Sequence, residues 1–337
     1  MKSYGLSISR DKFTEVYDYL FKNKLLRTDL KIISRGNMRI LPVIQKVNLD
    51  QQTTEIFDFT TSLDNSINRI LNEKSGNANK ENGKKTRWYR IGKCIILKNW
   101  SNTDDEKSAA NKLVKNCKVT SVYAESGKIT GEKRKPSVQL IAGNGGEMQY
   151  MENGVKYLFD PEKVMISKGN LKERNFLSGI GIKPDNVLDM FSGIGYFSLP
   201  VAKYMNPETL TCIDVNERAL YYLKKAVKLN GITSKIYIYN EDCRCFHGKV
   251  RYDLILMGNF KSYFYLPQAL RNAREGSRLI LHIITPTEKI VTINYLIVER
   301  INKFGYRGTI ENTHKVKSFS PHVWHISVTV LILQTPL

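Results

Sequence analysis

Paired cysteines are missing from this sequence. The five cysteines are scattered, and none forms a Cys-x-x-Cys pair with another: Cys94, Cys117, Cys212, Cys243 and Cys245. An odd number without paired spacing argues against a disulfide framework and against a zinc site. We therefore expect a chain that folds in a reducing compartment without crosslinks and without a structural metal.

Long apolar runs are absent as well. No stretch approaches the ~18 consecutive apolar residues of a membrane-spanning helix. The first residues, MKSYGLSISRDKF, contain no apolar core of the kind found in signal peptides. The sequence therefore predicts a cytosolic, cytoplasmic protein with no membrane partner.

Negative charge is scarce relative to positive charge. The chain has 52 lysines and arginines against 32 aspartates and glutamates, which gives a formal net charge of +20. Such an excess favours a polyanionic partner, because cations that meet phosphates release counterions. Nucleic acid is the first candidate. A generally basic proteome, or adaptation to an unusual cytosol, would produce the same balance.

The pattern of apolar and turn residues divides the chain into four parts. Residues 1–70 combine a helical pattern with a hairpin at Gly36, which predicts a small α+β domain. The polar segment 71–87 can bury almost nothing and is predicted to be a linker or loop. Residues 88–167 carry short β-like runs and one helix-like run, so a second small domain, rich in strands, is expected. The fourth part is 168–337.

Residues 168–337 alternate strand-like and helix-like segments. Alternation of this kind predicts an α/β domain with a mostly parallel, doubly wound sheet. In such Rossmann-like sheets the ligand binds at the carboxyl ends of the strands. We therefore expect the functional site at that edge of the C-terminal domain.

Three predicted strand ends of this domain carry an aspartate: Asp189, Asp214 and Asp242. Gly193 and Gly195 follow the first, where glycines let the backbone approach a ligand and the N–H groups of a helix start favour an anionic or electron-rich group. A dinucleotide-binding turn would need a third glycine, where this chain has serine. Asp214 is placed to accept ribose hydroxyls, Asp242 to accept an adenine amino group and Asp189 to pair with a methionyl ammonium group. The set fits class I S-adenosylmethionine enzymes, and a helix cap is the alternative for any single aspartate.

Residues 86 to 335 resemble the archaeal and eukaryotic enzymes that modify position 37 of tRNA. This family comprises guanine-N1 methyltransferases and wybutosine-pathway aminocarboxypropyltransferases. Five blocks carry the resemblance in the same order: GEKRKPSVQLIAG, ENGVKYLFDPEKVMISKGNLKER, LDMFSGIGYFSLPVAKY, IDVNERALYYLKKAVKLNGI and KVKSFSPHVWHISV. A small N-terminal domain that docks on the tRNA is usual in the methyltransferases, whereas residues 1–70 match nothing as clearly.

Two turns favour the aminocarboxypropyl branch. The methyltransferases carry an Asn-Pro-Arg element before the cofactor domain and a proline-containing turn after the fourth strand, whereas this chain has Ser167-Lys168-Gly169-Asn170 and Met257-Gly258-Asn259-Phe260. The resemblance therefore implies transfer of 3-amino-3-carboxypropyl to C7 of 4-demethylwyosine in the anticodon loop of tRNA-Phe. N1-methylation of guanine 37, a catalytically silent tRNA-binding protein and a nicotinamide oxidoreductase stay open as alternatives.

The resemblance also implies roles for four charged residues. Glu173 is the candidate acceptor of the C7 proton, and Arg174 or Lys172 would hold the methionyl carboxylate. A solvated charged turn at the start of a helix is the alternative for this segment. Arg134 matches a basic position near the target nucleotide and is a further catalytic candidate, with a phosphate contact or a solvated side chain as the alternative.

The remaining expectations concern two histidines and the cofactor-binding set. His322 and His325 are expected on one strand, where they would point to opposite faces and could not share a metal. No metal site is predicted. The residues expected to bind S-adenosylmethionine are Ser167, Lys172, Asp189, Phe191, Gly193, Gly195, Asp214, Val215, Asn216, Asp242, Cys243 and Gly258.

Overall fold

A computed structural model describes most of the chain. The described residues are 2–27, 30–47, 54–58, 67–68, 70–71, 86–127, 131, 134–166, 171–178 and 181–336. Most of the predicted linker, 72–85, and the segment 167–170 lie outside them. The predicted domain boundaries therefore stay predictions.

Contacts within the chain form two compact units, which are described separately. The first consists of Met1–Arg90, Cys94–Ala124 and Leu140–Asn144. The second consists of Ile91–Lys93, Glu125–Gln139 and Gly145–Leu337.

The first unit begins with a four-stranded sheet and one helix. Its elements are β1 (Lys2–Ser9), α1 (Phe13–Lys22), β2 (Ile33–Arg35), β3 (Met38–Val43) and β4 (Thr54–Asp58). The sheet order is β2-β3-β1-β4. Leu6 and Ile8, two positions apart on β1, are buried with Leu20 of α1, as the alternation of a strand and the stripe of a helix require. The predicted hairpin at Gly36 is confirmed by the pairing of β2 with β3.

A second four-stranded sheet follows in the chain. Its elements are β5 (Arg87–Ile91), β6 (Cys94–Lys98), α2 (Asp104–Asn116), β7 (Ser121–Glu125) and β8 (Val138–Gly143), in the order β5-β6-β7-β8. β6 and β7 are parallel, so α2 is the crossover between them. Thr103 and Glu106 form a capping box that fixes where α2 begins.

The second unit contains a hairpin, a seven-stranded sheet and its helices. The hairpin pairs β9 (Met148–Glu152) with β10 (Val155–Phe159). The strands of the large sheet are β11 (Asn186–Asp189), β12 (Thr209–Ile213), β13 (Lys235–Tyr239), β14 (Tyr252–Met257), β15 (Ala273–Pro286), β16 (Arg307–Ser320) and β17 (Val323–Gln334). The helices are α3 (Leu171–Ser178), α4 (Ser198–Tyr204), α5 (Glu217–Leu229), α6 (Leu266–Asn272) and α7 (Ile290–Lys303).

The large sheet has the order β13-β12-β11-β14-β15-β17-β16. The first five strands in this order are parallel, and β17 runs antiparallel to both of its neighbours. This confirms the predicted mostly parallel, doubly wound α/β domain. Because β12 and β14 flank β11 and the chain leaves β11 in one direction and returns on its other side, the crevice for a ligand opens beyond the carboxyl end of β11.

Candidate cofactor and active site

Asp189 ends β11 and is completely buried beneath the following loop. One carboxylate oxygen accepts a hydrogen bond from the Ser198 hydroxyl at 2.6 Å, and the other accepts the Phe191 N–H at 3.1 Å. Burial raises the pKa of the Asp189 carboxyl to about 7, and the negative charge of Asp214 acts in the same direction. Both carboxylate oxygens thus accept hydrogen bonds from the following loop and helix, and the predicted contact with a methionyl ammonium group stays a prediction. Ser198, the serine at the position where a dinucleotide-binding turn would need its third glycine, is thus the hydroxyl partner of Asp189.

The glycine turn after Asp189 owes its shape to packing. Gly195 has a left-handed φ of +94°, and a Cβ atom there would lie 2.6 Å from Cδ1 of Leu223, so a larger residue would strain the backbone and displace this side chain. Gly193 is also left-handed, at +52°, but a Cβ atom there would meet nothing within 4 Å. The space above Gly193 is therefore where a ligand can approach the backbone.

The N–H groups of these glycines are already engaged, contrary to the prediction that they open a helix. Gly193 N donates to Asp214 Oδ2 at 2.8 Å, and Gly195 N donates to the Ser192 carbonyl at 2.8 Å. The helix α4 begins only at Ser198. The loop consequently offers space and close approach, while its two glycine N–H groups serve the turn itself.

Asp214 follows β12 and connects two loops of the site. Besides Gly193, it accepts the N–H of Asn216 at 2.8 Å on its other oxygen. A carboxylate has about four acceptor positions, so capacity remains for hydroxyl groups. Burial raises the pKa of Asp214, while these hydrogen bonds and the charge of Arg134 oppose the rise. The helix cap at this position is Asn216, which accepts the N–H of Ala219, and half-buried Val215 lies between the two.

Asp242 and Cys243 follow β13. The Asp242 carboxylate accepts the Arg244 backbone N–H at 2.8 Å and its side-chain Nε at 3.0 Å, and the hydrogen bond to the Arg244 side chain lowers the pKa of Asp242. An adenine amino group would therefore share this carboxylate with Arg244. Cys243 is buried in the hydrophobic core, and burial raises the pKa of its thiol to about 12.

Aromatic rings form part of the wall around the turn after β14. Gly258 lies against Phe197, since a Cβ atom there would come within 2.9 Å of Cε2 of that ring. The ring of Phe191 meets the ring of Tyr265 edge-on at 5.0 Å between centroids. Small size at Gly258 therefore lets two loops of the site pack closely.

Arg174, one of the predicted catalytic residues, forms a buried ion pair with Glu152. Arg174 is buried, and its guanidinium is held by Glu152 of β9 through Nε and Nη2, the latter at 2.8 Å. The same group lies 5.2 Å from the centroid of the Tyr196 ring. Glu152 thus occupies two of the five N–H groups of the guanidinium, and the role of Arg174 as the holder of the methionyl carboxylate stays a prediction. A solvated turn is excluded by the same burial.

Glu173 is fully buried and belongs to a cluster of histidines that the sequence did not reveal. Its Oε2 lies 2.6 Å from Nε2 of His314, and its Oε1 lies 3.8 Å from Nε2 of His282. The Nδ1 atom of His282 lies 2.9 Å from Nε2 of His325. Burial raises the pKa of Glu173, but the hydrogen bond from His314 and the nearby His282 outweigh it, so the pKa lies below its ordinary value.

His322 and His325 occupy different environments. His325 is buried on β17, whereas His322 precedes the strand in a left-handed turn with φ of +59°, so the prediction that both lie on one strand is wrong. Within the described part of the chain, no three His, Cys, Asp or Glu side chains are grouped as a metal ion requires. The same part of the chain has no helix long and apolar enough to cross a membrane.

Arg134 lies near the cofactor loops. Its backbone is left-handed, with φ of +49°, and burial lowers the pKa of its guanidinium while Asp214 and Tyr196 raise it. Lys317 of β16, missed in the sequence, is half-buried, and burial followed by the charges of Arg174 and Arg134 lowers its pKa. Lys317 therefore lies within electrostatic reach of Arg174 and Arg134, and Arg134 also interacts with Asp214.

Two predicted cofactor residues cannot be placed in the site. Ser167 lies outside the described residues. Lys172 is on α3, but its side chain is likewise outside what the structure describes.

Comparison with known proteins identifies the family. Residues 149–307 match the TRM5/TYW2 methyltransferase domain, and residues 49–146 match the TYW2 N-terminal domain. The tRNA(Phe) (4-demethylwyosine(37)-C(7)) aminocarboxypropyltransferase of Pyrococcus horikoshii is 31% identical over 252 residues, which are 74% of this chain and 90% of that protein.

Two solved structures have the same fold. The crystal structure of P. horikoshii TYW2 in complex with MeSAdo has a TM-score of 0.66 and 27% identity, and covers 80% of this chain and 100% of that one. The M. jannaschii tRNA m1G37 methyltransferase, at 24% identity and a TM-score of 0.65, covers 98% of this chain and 100% of that one. The chain belongs to the TYW2 family of tRNA aminocarboxypropyltransferases, and it is an S-adenosylmethionine-dependent transferase.

Proposed function

We propose that the protein transfers the 3-amino-3-carboxypropyl group of S-adenosylmethionine to C7 of 4-demethylwyosine at position 37 of tRNA-Phe. The observation that carries this proposal is the match to the P. horikoshii aminocarboxypropyltransferase over 90% of that protein's length. The structural relative bound to MeSAdo supports it, because methylthioadenosine is the nucleoside that remains after this transfer.

The residues around Gly193 and Asp214 fit an adenosyl group. The open space above Gly193 lets a ligand lie against the backbone, and the remaining acceptor capacity of Asp214 suits the two hydroxyls of a ribose. The rings of Phe191 and Tyr265 supply apolar surface beside them. Val215, Asn216, Asp242, Cys243 and Gly258 complete the proposed cofactor site from the neighbouring strand ends.

The positive cluster suits the amino-acid arm of the cofactor. Since Glu152 holds the Arg174 guanidinium, we assign the methionyl carboxylate to Arg134 and Lys317 instead. Arg134 lies within electrostatic reach of Asp214 and Tyr196, and Lys317 lies within electrostatic reach of Arg134. A charge-assisted contact to either cation would orient the arm so that its methylene carbon faces the base.

When bound, S-adenosylmethionine supplies an electrophilic carbon next to its sulfonium. The task of the protein is to hold that carbon in line with C7 and to accept the proton that C7 loses. An anticodon-loop purine can be splayed out of its stack into such a site. The net charge of +20 supports tRNA as the partner, and the five free cysteines support a cytoplasmic location.

Isotope labelling of the cofactor tests the proposal. Transfer RNA that carries 4-demethylwyosine should gain label from carboxyl-labelled S-adenosylmethionine, and label in the methyl group should stay with the released nucleoside. Methyl label entering tRNA with plain guanine at position 37, together with S-adenosylhomocysteine as by-product, would instead establish N1-methylation. Asp214→Ala is the matched negative control, because it removes the proposed ribose acceptor.

A further inference from the structure

Three neighbouring strands place a row of polar side chains at the carboxyl edge of the large sheet. Ser327 of β17 lies opposite His282 of β15 on one side and opposite His314 of β16 on the other. Residues directly opposite each other in a ladder share a face of the sheet. His282 is one residue beyond Leu281, the partner of Met257 at the end of β14. The row therefore lies level with the loops of the cofactor site.

The row is physically connected to those loops. The His282 ring stacks on the ring of Phe197, with 5.0 Å between centroids and 4° between planes. Phe197 is the residue against which Gly258 packs. On β16, a register shift between Lys315 and Lys317 places Lys317 opposite His325 of β17. Lys317 therefore lies on the same face of the sheet as His314. The histidine row and the cationic cluster consequently belong to one surface.

Glu173 and His314 differ sharply in their access to a substrate. The Glu173 side chain has no exposed surface, whereas 29% of the His314 side chain is exposed. A carboxylate sealed in this way cannot meet a base directly in this arrangement. The exposed edge of His314 can, and the ring is further fixed by Phe176, whose centroid lies 4.4 Å away.

The hydrogen bonds of His314 define which nitrogen is available to a proton. Its Nε2 lies 2.6 Å from the Glu173 carboxylate, and its Nδ1 lies 3.1 Å from the amide nitrogen of Asn312. A carboxylate only accepts and an amide nitrogen only donates, so this network assigns the hydrogen to Nε2 and a lone pair to Nδ1. A buried carboxylate behind a partly exposed imidazole is the arrangement that stabilises an imidazolium formed by proton uptake.

We infer that His314 is the residue that accepts the C7 proton and that Glu173 is its positioning residue. This inference rests on the proposed function. In the transfer, the C7 electron pair forms a bond to the methylene carbon, and the C–S electrons pass to sulfur, which leaves as methylthioadenosine. The alkylated base then loses its C7 proton to Nδ1 of His314, which displaces Asn312. His314 later releases that proton to water.

Glu173 is the counter-ion for a positive charge that forms at His314 by proton uptake. Burial lowers the pKa of His282, and it lowers the pKa of His325 to about 3, so both stay neutral near neutral pH. Lys317 faces the same region as a cation, and Glu173 is the carboxylate in contact with His314. The charge of the imidazolium is therefore balanced by Glu173 rather than spread over the other histidines.

The test compares His314→Gln with wild type in single-turnover transfer to tRNA whose 4-demethylwyosine carries deuterium or hydrogen at C7. A general base contributes roughly 10²- to 10⁴-fold, so we expect a loss of about that size, with an isotope effect larger than in the wild type. Glu173→Gln should give a smaller loss and also an enlarged isotope effect, which a merely structural role would not produce. Exposed His247→Gln is the matched control and should behave as wild type.

A second variant keeps the inference testable if His314→Gln folds poorly. His314→Ala is assayed with and without imidazole, so that each preparation is its own reference, and restored transfer would support the inference. Absence of rescue together with an unchanged isotope effect, or a His314→Gln rate close to that of wild type, would overturn it. If wild-type enzyme releases S-adenosylhomocysteine, the proposed function fails and this inference fails with it. Release of methylthioadenosine by wild type and by a fully active His314→Gln would overturn this inference alone.

Discussion

Breaking the Arg174–Glu152 ion pair should destabilise the cofactor domain more than breaking an ion pair on its surface. Arg174 is 3% exposed at its side chain and Glu152 is 21% exposed. Removing one partner of a buried pair costs about 3–5 kcal/mol, because the other charge is left without compensation. We expect Glu152→Ala to reduce the free energy of unfolding by about 3 kcal/mol, the lower end of this range, because some water already reaches Glu152. That is a large share of the roughly 5–15 kcal/mol that stabilises a typical domain.

The two partners should not be equivalent. Arg174→Met should cost less than Glu152→Ala, because Glu152 can be hydrated when its partner is lost whereas buried Arg174 cannot. The double variant should be more stable than Glu152→Ala alone, since no buried charge remains. Glu147→Ala is the control, because it breaks the 2.6 Å ion pair with Lys225. The Glu147 side chain is 36% exposed and the Lys225 side chain is 40% exposed, so the free energy of unfolding should change little.

Urea unfolding followed by circular dichroism measures these differences, with equal slopes required before the free energies are compared. If Glu152→Ala and Glu147→Ala reduced the free energy of unfolding by similar amounts, Arg174 would not be a buried structural cation. A double variant less stable than both single variants would also refute the reasoning. In either case Arg174 would again be a candidate for binding the cofactor carboxylate.

Three further predictions concern the cofactor loops. Asp214→Ala should weaken cofactor binding by about 1.5–3 kcal/mol in calorimetry, since ribose hydroxyls lose a charged acceptor, and an unchanged dissociation constant would place the pocket elsewhere. Gly195→Ala should destabilise the fold more than Gly193→Ala, because only the former drives a Cβ atom into Leu223; equal melting temperatures would contradict this. The raised pKa of Asp189 means that its carboxyl holds a proton in the folded chain when the unfolded chain has lost it. Tighter proton binding by the folded chain stabilises it. This stabilisation is fully present below pH 3.8, the ordinary pKa of an aspartate, and is lost as the pH rises through about 7. Asp189→Asn should remove this part of the pH dependence in denaturation curves, and identical slopes in both proteins would refute it.

Local sequence was enough to find the loops of the site because their chemistry is local. The spacing of Asp189, Gly193 and Gly195 defines one turn, and Asp214 follows the next strand along the chain. The sequence could not show that the Ser198 hydroxyl and the Phe191 N–H donate to the oxygens of Asp189. Whether an acid faces a ligand or its own loop is decided by packing.

Long-range partners could not be read from the sequence. Glu152 reaches Arg174 from a hairpin 22 positions earlier, and His314 reaches Glu173 from 141 positions later. The histidine row exists only through the register of β15, β17 and β16, which a one-residue slip would destroy. A histidine within the apolar strand SRLILHII was the available signal for His282, but it could not identify the neighbours.

The central claim is that the aminocarboxypropyl group is attached to the base at position 37. Mass spectrometry of that nucleoside in tRNA-Phe, from cells with and without this gene, tests the claim most directly. The account predicts that cells with the gene carry a base enlarged by one 3-amino-3-carboxypropyl group, and that cells without it accumulate 4-demethylwyosine. Cells that lack the gene but still carry the enlarged base, or that instead lose a methyl group from guanine 37, would contradict it.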